Sequence, residues 1–351
     1  MAINKIIQED LEIITSANIP WSDFAGKTIL VSGANGVLPS YMVETLLFLS
    51  AHVLLNKCRV IALVRNEEKA KKRFADYLNR DDLFIIVQDV CAPIRISEKI
   101  DYIVHAASQA SPKYYGTDPV GTLNANIFGT TNLLHLAKEN HVQSFLYMSS
   151  SEVYGMSVNS VSAIAETDYG YLDPTQVRSC YAESKRMGEN ICISWKHQYS
   201  VPVKIVRPFH VYGPGMMLDD GRVFADFVAD IVGNRDIIMK SDGAAKRAFC
   251  YLRDAALAFF YVMLLGEDGG VYNVGNDNAE ISVLNLANTL VSLFPEKQLK
   301  VVIKANDNST YLPSPVMRNL PDVTRLNKLG WYPKVTIEEG FQRTIKSYEH
   351  N

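Results

Sequence analysis

A tyrosine and a lysine stand four positions apart in Tyr181-Ala182-Glu183-Ser184-Lys185. Residues with this spacing lie on the same face of a helix. An ammonium group beside a phenol favours the phenolate, so we predict that Lys185 lowers the pKa of Tyr181. A tyrosine adjusted in this way can move a proton to or from a substrate hydroxyl during hydride transfer. We therefore predict that Tyr181 and Lys185 are catalytic rather than an inert surface pair.

A run of serines that ends in a glutamate, Ser149-Ser150-Ser151-Glu152, follows an apolar stretch from Ser144 to Met148. In an open α/β sheet, ligands bind outside the carboxyl ends of the strands. We predict that the Ser150 hydroxyl hydrogen-bonds the reacting oxygen of the substrate. Glu152 is expected to act as a base or to orient the substrate. The alternative is a capping carboxylate without chemistry.

A glycine-containing segment, Gly33-Ala34-Asn35-Gly36-Val37-Leu38-Pro39, lies between an apolar stretch and a helical one. A tight turn at this place brings backbone N–H groups and the positive end of a helix onto a pyrophosphate. We predict that Gly33, Asn35, Gly36 and Val37 bind a dinucleotide. Pro39 stands where a third glycine is usual, and proline is tolerated in the first turn of a helix.

The ends of the next strands bear on the choice of cofactor. An acidic residue after the second strand would bind the ribose 2′-hydroxyl of NAD, but the chain has Val64 and then Arg65. Arg65 could pair with a 2′-phosphate, which favours NADP over NAD and leaves both open. Asp89-Val90 is expected to contact the adenine, and the small residues Ala106 and Ala107 to let the backbone approach the cofactor.

These residues require a scaffold of buried strands alternating with helices. Apolar stretches of strand length occur at residues 27–32, 60–64, 83–87, 102–105, 144–148 and 203–206, and helical stretches include 41–52, 67–78 and 181–197. This alternation predicts an α/β fold with a Rossmann-type, doubly wound parallel sheet. Loops rich in Gly, Pro and Asp after residue 207 indicate a smaller C-terminal substrate-binding lobe.

We divide the chain into three parts. Residues 1–26 are predicted to form an N-terminal helical extension, and residues 27–206 the NAD(P)-binding domain. Residues 207–351 are predicted to form mainly the substrate-binding lobe, with some return of the chain to the main sheet.

The overall composition excludes several classes of protein. The 351 residues are 48% hydrophobic and 21% charged with a net charge of −3, so no basic surface argues for nucleic acid. The sequence contains no run of about 18 apolar residues, so we predict no membrane-spanning helix. The five cysteines are scattered without a CxxC pair, which favours a reducing cytoplasm, buried free thiols for the most part, and no metal site.

Together these features resemble the extended short-chain dehydrogenase/reductase family of nucleotide-sugar epimerases, dehydratases and decarboxylases. The resemblance extends from Lys27 to about Ser347. Besides the residues above, it rests on the segments Asn126-Ile127-Phe128-Gly129-Thr130, Arg207-Pro208-Phe209-His210-Val211-Tyr212-Gly213-Pro214-Gly215, Arg247-Ala248-Phe249 and Leu329-Gly330-Trp331-Tyr332-Pro333.

The resemblance implies an enzyme with a tightly bound NAD or NADP and a nucleotide-diphosphate sugar as substrate. Tyr181 would remove the proton of the sugar 4-hydroxyl, and the 4-keto sugar would then be re-reduced, dehydrated or decarboxylated. Asn126 would belong to the cofactor site. The family also implies a homodimer, paired through the helices that contain residues 120–138 and 181–198.

Three local features look most like the UDP-glucuronate decarboxylases: Ser150 to Gly155, Arg178-Ser179-Cys180-Tyr181 with Lys185-Arg186, and Asp219-Asp220-Gly221-Arg222-Val223 with Phe227 beyond. Ser151 stands where glucose-type 4,6-dehydratases have an Asp, which weakens a dehydratase interpretation. The mannose-type dehydratases share the Ser–Glu pair, so dehydration and epimerisation stay open behind decarboxylation. A reductase that uses free NADPH on a nucleotide-linked keto-sugar is the alternative from another class, and Arg65 favours it. A non-catalytic binding protein on the same fold is a third interpretation, which the intact Ser150, Tyr181 and Lys185 set disfavours.

Substrate phosphates require cations. We expect Arg247 and then Arg222 to bind them, and Ser151 and Arg178 to bind the substrate. His210 stands where the family commonly has an Asn near the phosphates. It is predicted either to bond a phosphate or to pack as a core histidine.

Overall fold

The computed structural model describes residues 4–156, 163–304 and 316–349. In chain order, its strands are β1 (Thr28–Ser32), β2 (Arg59–Val64), β3 (Leu83–Val87), β4 (Tyr102–His105), β5 (Ser144–Met148), β6 (Val203–Pro208), β7 (Val211–Tyr212), β8 (Ile237–Met239), β9 (Lys246–Ala248), β10 (Cys250–Tyr251), β11 (Val271–Val274), β12 (Glu280–Ser282), β13 (Val301–Ile303) and β14 (Arg318–Asn319). Its α-helices are α1 (Lys5–Thr15), α2 (Val37–His52), α3 (Glu67–Arg73), α4 (Lys113–Thr117), α5 (Pro119–Asn140), α6 (Cys180–Tyr199), α7 (Val223–Val232), α8 (Leu252–Leu265), α9 (Val283–Ser292), α10 (Thr324–Asn327) and α11 (Ile337–Glu349).

The main sheet has seven parallel strands in the order β3-β2-β1-β4-β5-β6-β11. Successive residues of a strand point to opposite faces, so a strand buried on both faces can be continuously apolar. In β1, Ile29 and Val31 join the core on one face, and Leu30 joins the core on the other. The chain therefore has the doubly wound, Rossmann-type α/β fold that its strand pattern predicts.

Two helix boundaries differ from the sequence prediction. Helix α2 begins at Val37 rather than at Tyr41. The fixed φ of Pro39 suits a first helical turn, so the helix extends back to the glycine turn. Helix α3 ends at Arg73 instead of Leu78, because the backbone leaves the helix at Phe74 and buries that ring in the main core.

The C-terminal part of the chain contributes to two cores. Strand β11 lies beside β6 at the edge of the main sheet. A second hydrophobic core is formed by side chains from α7, α9 and α11, and the short pair β8–β13 borders it. The pair β7–β10 and the three-stranded sheet β12-β9-β14 lie in the same part of the chain. The C-terminal part of the chain thus completes the main sheet and forms a second hydrophobic core.

The N-terminal helix is joined to the rest of the protein through a buried carboxylate. Asp10 on α1 accepts hydrogen bonds from the hydroxyls of Tyr41 (3.1 Å) and Tyr251 (2.7 Å) and from Arg343 Nη2 (2.9 Å). Burial raises the pKa of Asp10, although Arg343 and these hydrogen bonds act against the rise. Helix α1 is therefore held against α2, α11 and the start of α8.

The remaining sequence expectations concern membranes and cysteines. Within the described ranges, no helix has the length and apolar character that crossing a bilayer requires. The five cysteines are unpaired, and all of them except Cys91 are buried.

Candidate active site

The glycine turn lies between β1 and α2, at the carboxyl edge of the main sheet. Gly33 has a φ of 66°, and a Cβ atom there would lie 2.7 Å from the Ala107 Cα. Only glycine fits a position with a left-handed conformation and such a close approach. Gly36 caps α2, so the first N–H groups of the helix face the same space. This local geometry suits a pyrophosphate.

A cleft of about 820 Å³ runs along this edge of the sheet. It is bounded by the glycine turn, the ends of β2, β4 and β5, the start of α6 and the segment before α7. Of the residues predicted to bind or react, the following line it: Gly33, Asn35, Gly36, Val37, Arg65, Asp89, Val90, Ala106, Ala107, Ser150, Ser151, Glu152, Arg178, Tyr181, Lys185, His210, Arg222 and Arg247. Residues up to about 210 positions apart in the sequence therefore meet in one cavity.

Asn126, which was predicted to belong to the cofactor site, does not line the cleft. Its side chain is fully buried, and its amide donates to the Thr122 carbonyl (3.1 Å) and to Ser184 Oγ (2.9 Å). Asn126 therefore faces α6 and not the cleft, which Asn124 and Ala125 line in its place. A residue two positions away on a helix points in a different direction, so the motif alone does not fix which side chain reaches the ligand.

Tyr181 and Lys185 lie one turn apart on α6, as their spacing predicts. The Lys185 ammonium donates to the Met148 carbonyl at 2.6 Å. Burial lowers the pKa of Lys185 to about 7. Burial also raises the pKa of Tyr181 to about 12, while a hydrogen bond with Ser150 and the charge of Arg222 act in the opposite direction.

The prediction that Lys185 lowers the pKa of Tyr181 is therefore wrong, because that pKa is raised. The lysine points to a backbone carbonyl below the cleft, and its Nζ lies 5.8 Å from the centre of the Tyr181 ring. Burial outweighs the charges around the phenol, so Tyr181 keeps its proton at neutral pH. The phenol of Tyr181 is thus a proton donor at neutral pH and not a phenolate.

Ser150 and Glu152 follow β5 and turn toward Tyr181. The Ser150 side chain acts on the Tyr181 phenol so as to lower its pKa. Its Oγ accepts from the Glu152 backbone N–H at 3.2 Å. Both guanidinium ends of Arg178 donate to the Glu152 carboxylate, at 3.2 and 3.3 Å. The Glu152 side chain is therefore paired with a cation at the wall of the cleft and does not cap a helix.

The remaining predicted residues, Arg222, Arg247 and His210, also line the cleft. Arg222 pairs with Asp220, and Arg247 donates to the backbone carbonyls of Val316 (2.7 Å) and Met317 (3.3 Å). Burial, reinforced by these two arginines, lowers the pKa of the half-buried His210 to about 3. His210 both lines the cleft and packs against the protein, so a phosphate there would meet a neutral imidazole between two cations.

Sequence reasoning missed three groups near the site. Asn319 on β14 lies with its Nδ2 3.3 Å from His210 Nε2 and 3.4 Å from Ser151 Oγ. Tyr115 on α4 stacks on the Tyr181 ring. No motif marks Asn319 or Tyr115, because each reaches the site from a short element far away in the sequence.

The third group is a buried chain of polar contacts that joins Ser32, His105 and Thr130. Ser32 Oγ accepts from the N–H groups of Ala106 and Ala107 (3.2 Å each) and lies 2.9 Å from His105 Nδ1, whose Nε2 lies 3.0 Å from Thr130 Oγ1. His105 directly precedes the small residues Ala106 and Ala107 at the end of β4. That position in the sequence could have identified it as a residue near the site.

A buried ion pair supports the serine segment from below. Arg207 on β6 donates to both carboxylate oxygens of Glu189 on α6, at 2.6 and 2.8 Å, and to the Tyr154 hydroxyl at 2.9 Å. Arg207 is fully buried. It thereby ties β6, α6 and the turn that carries Ser150 and Glu152 to one another.

Arg207→Met is expected to lower the free energy of unfolding by roughly 3–5 kcal/mol, because it leaves the Glu189 carboxylate buried without its cation. Urea unfolding measures this change. The double variant Arg207→Met/Glu189→Leu should recover most of the loss, since it removes both charges. Equal stability of the single and double variants would show that the ion pair is not what the single substitution breaks.

In the described part of the chain, no three His, Cys, Asp or Glu side chains are grouped as metal ligands.

The chain is similar to known proteins of one family. Residues 29–275 match the family described as the NAD dependent epimerase/dehydratase family. UDP-glucuronic acid decarboxylase 5 of Arabidopsis thaliana is 33% identical over 89% of this chain and 86% of its own length.

Two solved structures share the fold. A dTDP-glucose 4,6-dehydratase from Bacillus anthracis in complex with NAD has a TM-score of 0.74 at 21% identity, over 93% of this chain and 97% of its own. A UDP-glucuronic acid 4-epimerase from Bacillus cereus, in complex with UDP-glucuronic acid and NAD, has a TM-score of 0.77 at 21% identity, over 92% and 99%.

Proposed function

Because the chain belongs to the NAD-dependent epimerase/dehydratase family, we propose that it oxidises carbon 4 of a nucleotide-linked sugar and then removes the sugar carboxylate as carbon dioxide. UDP-glucuronate is the proposed substrate. The relative with 33% identity over 89% of the chain is a UDP-glucuronic acid decarboxylase, which supports this choice over epimerisation and dehydration.

The residues of the cleft suit a tightly bound NAD. Gly33 has a left-handed conformation and packs closely against Ala107. The resulting tight turn lets backbone N–H groups meet a pyrophosphate. Arg65 and Asp89 line the cleft at the ends of β2 and β3, where the adenosine half would lie. The family is NAD-dependent, whereas Arg65 taken alone favoured NADP. When bound, NAD accepts a hydride from the sugar and later returns it.

In the first step, Tyr181 and Ser150 handle the proton of the sugar 4-hydroxyl. Both side chains line the cleft, so a sugar hydroxyl that contacts them would give its proton to the phenol oxygen while the phenol passes its own proton on. Lys185 below the phenol is held by the Met148 carbonyl at 2.6 Å. With a pKa near 7 it can supply or take up the proton that the phenol passes on.

In the second step, the 4-ketone makes the sugar a β-keto acid. The bond between carbons 5 and 6 breaks, carbon dioxide leaves, and the electron pair moves to the oxygen at carbon 4. Tyr181 and Ser150 donate hydrogen bonds to that oxygen and stabilise its charge. Glu152, held by Arg178 at 3.2 and 3.3 Å, orients the sugar and directs the proton that carbon 5 then takes up from water in place of the lost carboxylate.

We expect Arg222, Arg247 and His210 to bind the nucleotide diphosphate. Arg222 and Arg247 carry positive charge and line the cavity beside His210. Arginine binds phosphate oxygens through charge-assisted hydrogen bonds. A neutral His210 adds a donor without a further charge. The observation that carries the proposal is that Ser150, Glu152, Arg178 and Tyr181 line one cleft together with these cations.

The test is to incubate the purified protein with UDP-, dTDP-, GDP- and CDP-sugars, including UDP-glucuronate, and to read the product masses. Loss of carbon dioxide from UDP-glucuronate is expected. Loss of water would favour a dehydratase, and an unchanged mass with a shifted retention time would favour an epimerase. Turnover only after NADPH and a keto-sugar are added would replace the proposal with a reductase.

We expect the protein to form a homodimer through α5 and α6. These helices pack on each other and still expose Phe128 (56%), Met187 (49%) and Ile193 (38%). A second copy would bury these apolar side chains. Phe128→Glu should therefore convert dimers to monomers in sedimentation at micromolar concentration. Leu55→Glu is the matched control, because Leu55 is fully exposed and lies outside both helices. A parent protein that sediments as a monomer would contradict the expectation.

A further inference from the structure

Tyr115 lies in the wall of the cleft, on the short helix α4. Its ring stacks on that of Tyr181, with the ring centres 5.2 Å apart and the planes 15° from parallel. The side chain is buried, with 2% of its surface exposed. Its hydroxyl donates to the Ala110 carbonyl at 3.0 Å, so the ring is held at both ends. A near-parallel stack of this kind favours one orientation of each ring.

The same ring contacts the cation that holds Glu152. The guanidinium carbon of Arg178 lies 4.8 Å from the centre of the Tyr115 ring, within the range of a cation–π interaction. Arg178 meanwhile donates both of its hydrogen bonds to the Glu152 carboxylate. One aromatic side chain therefore touches Tyr181 directly and reaches Glu152 through Arg178.

We propose that Tyr115 is a positioning residue that holds the Tyr181 phenol and the Arg178–Glu152 pair in a fixed relation to each other. The proposal rests on the proposed function of Tyr181 and Glu152. The two groups lie on separate segments, α6 and the turn after β5, and both must address one sugar. The phenol oxygen is at the far end of its side chain, so a small rotation of the ring moves it far. Displacements of about 1 Å at a reacting group can cost about 10²-fold in rate.

The ring, and not the hydroxyl, makes both contacts. Tyr115→Phe keeps the stack and the cation–π contact and loses only the bond to Ala110. Tyr115→Leu removes the flat aromatic face. We therefore expect Tyr115→Phe to keep kcat within about threefold, and Tyr115→Leu to lower kcat by about 10–100-fold with little change in KM or in retained NAD.

The experiment compares these two variants with Tyr77→Leu in the full-length, NAD-loaded protein. Tyr77 is also a buried tyrosine, but it lies outside the cleft. Its replacement reports what the loss of a buried ring does to stability alone, and kcat per folded molecule should stay unchanged. Parent-like kcat in Tyr115→Leu would overturn the proposal. So would an equal loss in Tyr115→Phe, or an equal loss in Tyr77→Leu.

A second readout needs no turnover and so separates this proposal from the proposed function. Crystal structures of Tyr115→Leu and Tyr115→Phe should show a displaced Tyr181 ring or Arg178 side chain in the first variant only. If both groups keep their places in Tyr115→Leu to within about 0.5 Å, Tyr115 does not position them. If they move and the parent protein acts on none of the sugars, the positioning role stands and the proposed function fails.

Discussion

Replacing Tyr181 with phenylalanine is expected to lower kcat by about 10²–10⁴-fold, the range that a positioned general acid–base group contributes. The substitution removes one oxygen from a side chain that is 5% exposed, and it leaves the stack on Tyr115 in place. The fold and the cofactor wall should therefore be preserved. The loss should appear in kcat, and the amount of NAD released on denaturation should match that of the parent protein.

The control is Tyr171→Phe, which removes a hydroxyl from a tyrosine that is 60% exposed and does not line the cleft. This variant should turn over normally. Retained activity in Tyr181→Phe would refute the assigned role. An equal loss of activity and of bound NAD would instead show that the phenol acts in binding, because chemistry and cofactor retention would then have failed together.

The second large effect is expected at Glu152. Glu152→Gln keeps the size of the side chain and removes the negative charge that Arg178 holds. Turnover should fall by about 10²-fold or more, because the steps after oxidation lose the carboxylate that governs the proton at carbon 5. Oxidation itself depends on Tyr181 and Ser150, so the 4-keto sugar should accumulate. Mass spectrometry of the quenched reaction would detect a 4-keto species lighter than the substrate by one hydrogen molecule, or by one hydrogen molecule and one carbon dioxide if the carboxylate has already left.

The matched control is Glu183→Gln. Glu183 is a partly exposed carboxylate that also faces an arginine, Arg186 at 3.8 Å, and it does not line the cleft. Its variant should keep parent turnover and accumulate no intermediate. If Glu152→Gln turns over like the parent, Glu152 has a structural role only. If turnover falls and no keto-sugar builds up, Glu152 acts in substrate binding or in the first step.

The sequence alone was sufficient wherever the constraint is local. The spacing of Tyr181 and Lys185 placed both on one face of α6, because a helix returns to the same side about every four residues. The apolar stretches identified the strands of the main sheet, since a strand buried on both faces needs apolar residues throughout. Gly33 was recognisable because a left-handed turn requires glycine. These features place the cleft at the carboxyl edge of the sheet.

Only the tertiary structure decided what depends on burial and on contacts between distant segments. Asn126 sits in a family motif, but the packing of α5 on α6 turns its side chain away from the cleft. The pKa of Tyr181 rises where the sequence predicted a fall, because the loss of water around a buried phenol outweighs the hydrogen bond with Ser150 and the charge of Arg222. Tyr115 meets Tyr181 across 66 positions of sequence, and no local pattern encodes such a contact. Local periodicity determines which residues an element presents, whereas desolvation and side-chain contacts arise only when the elements are packed together.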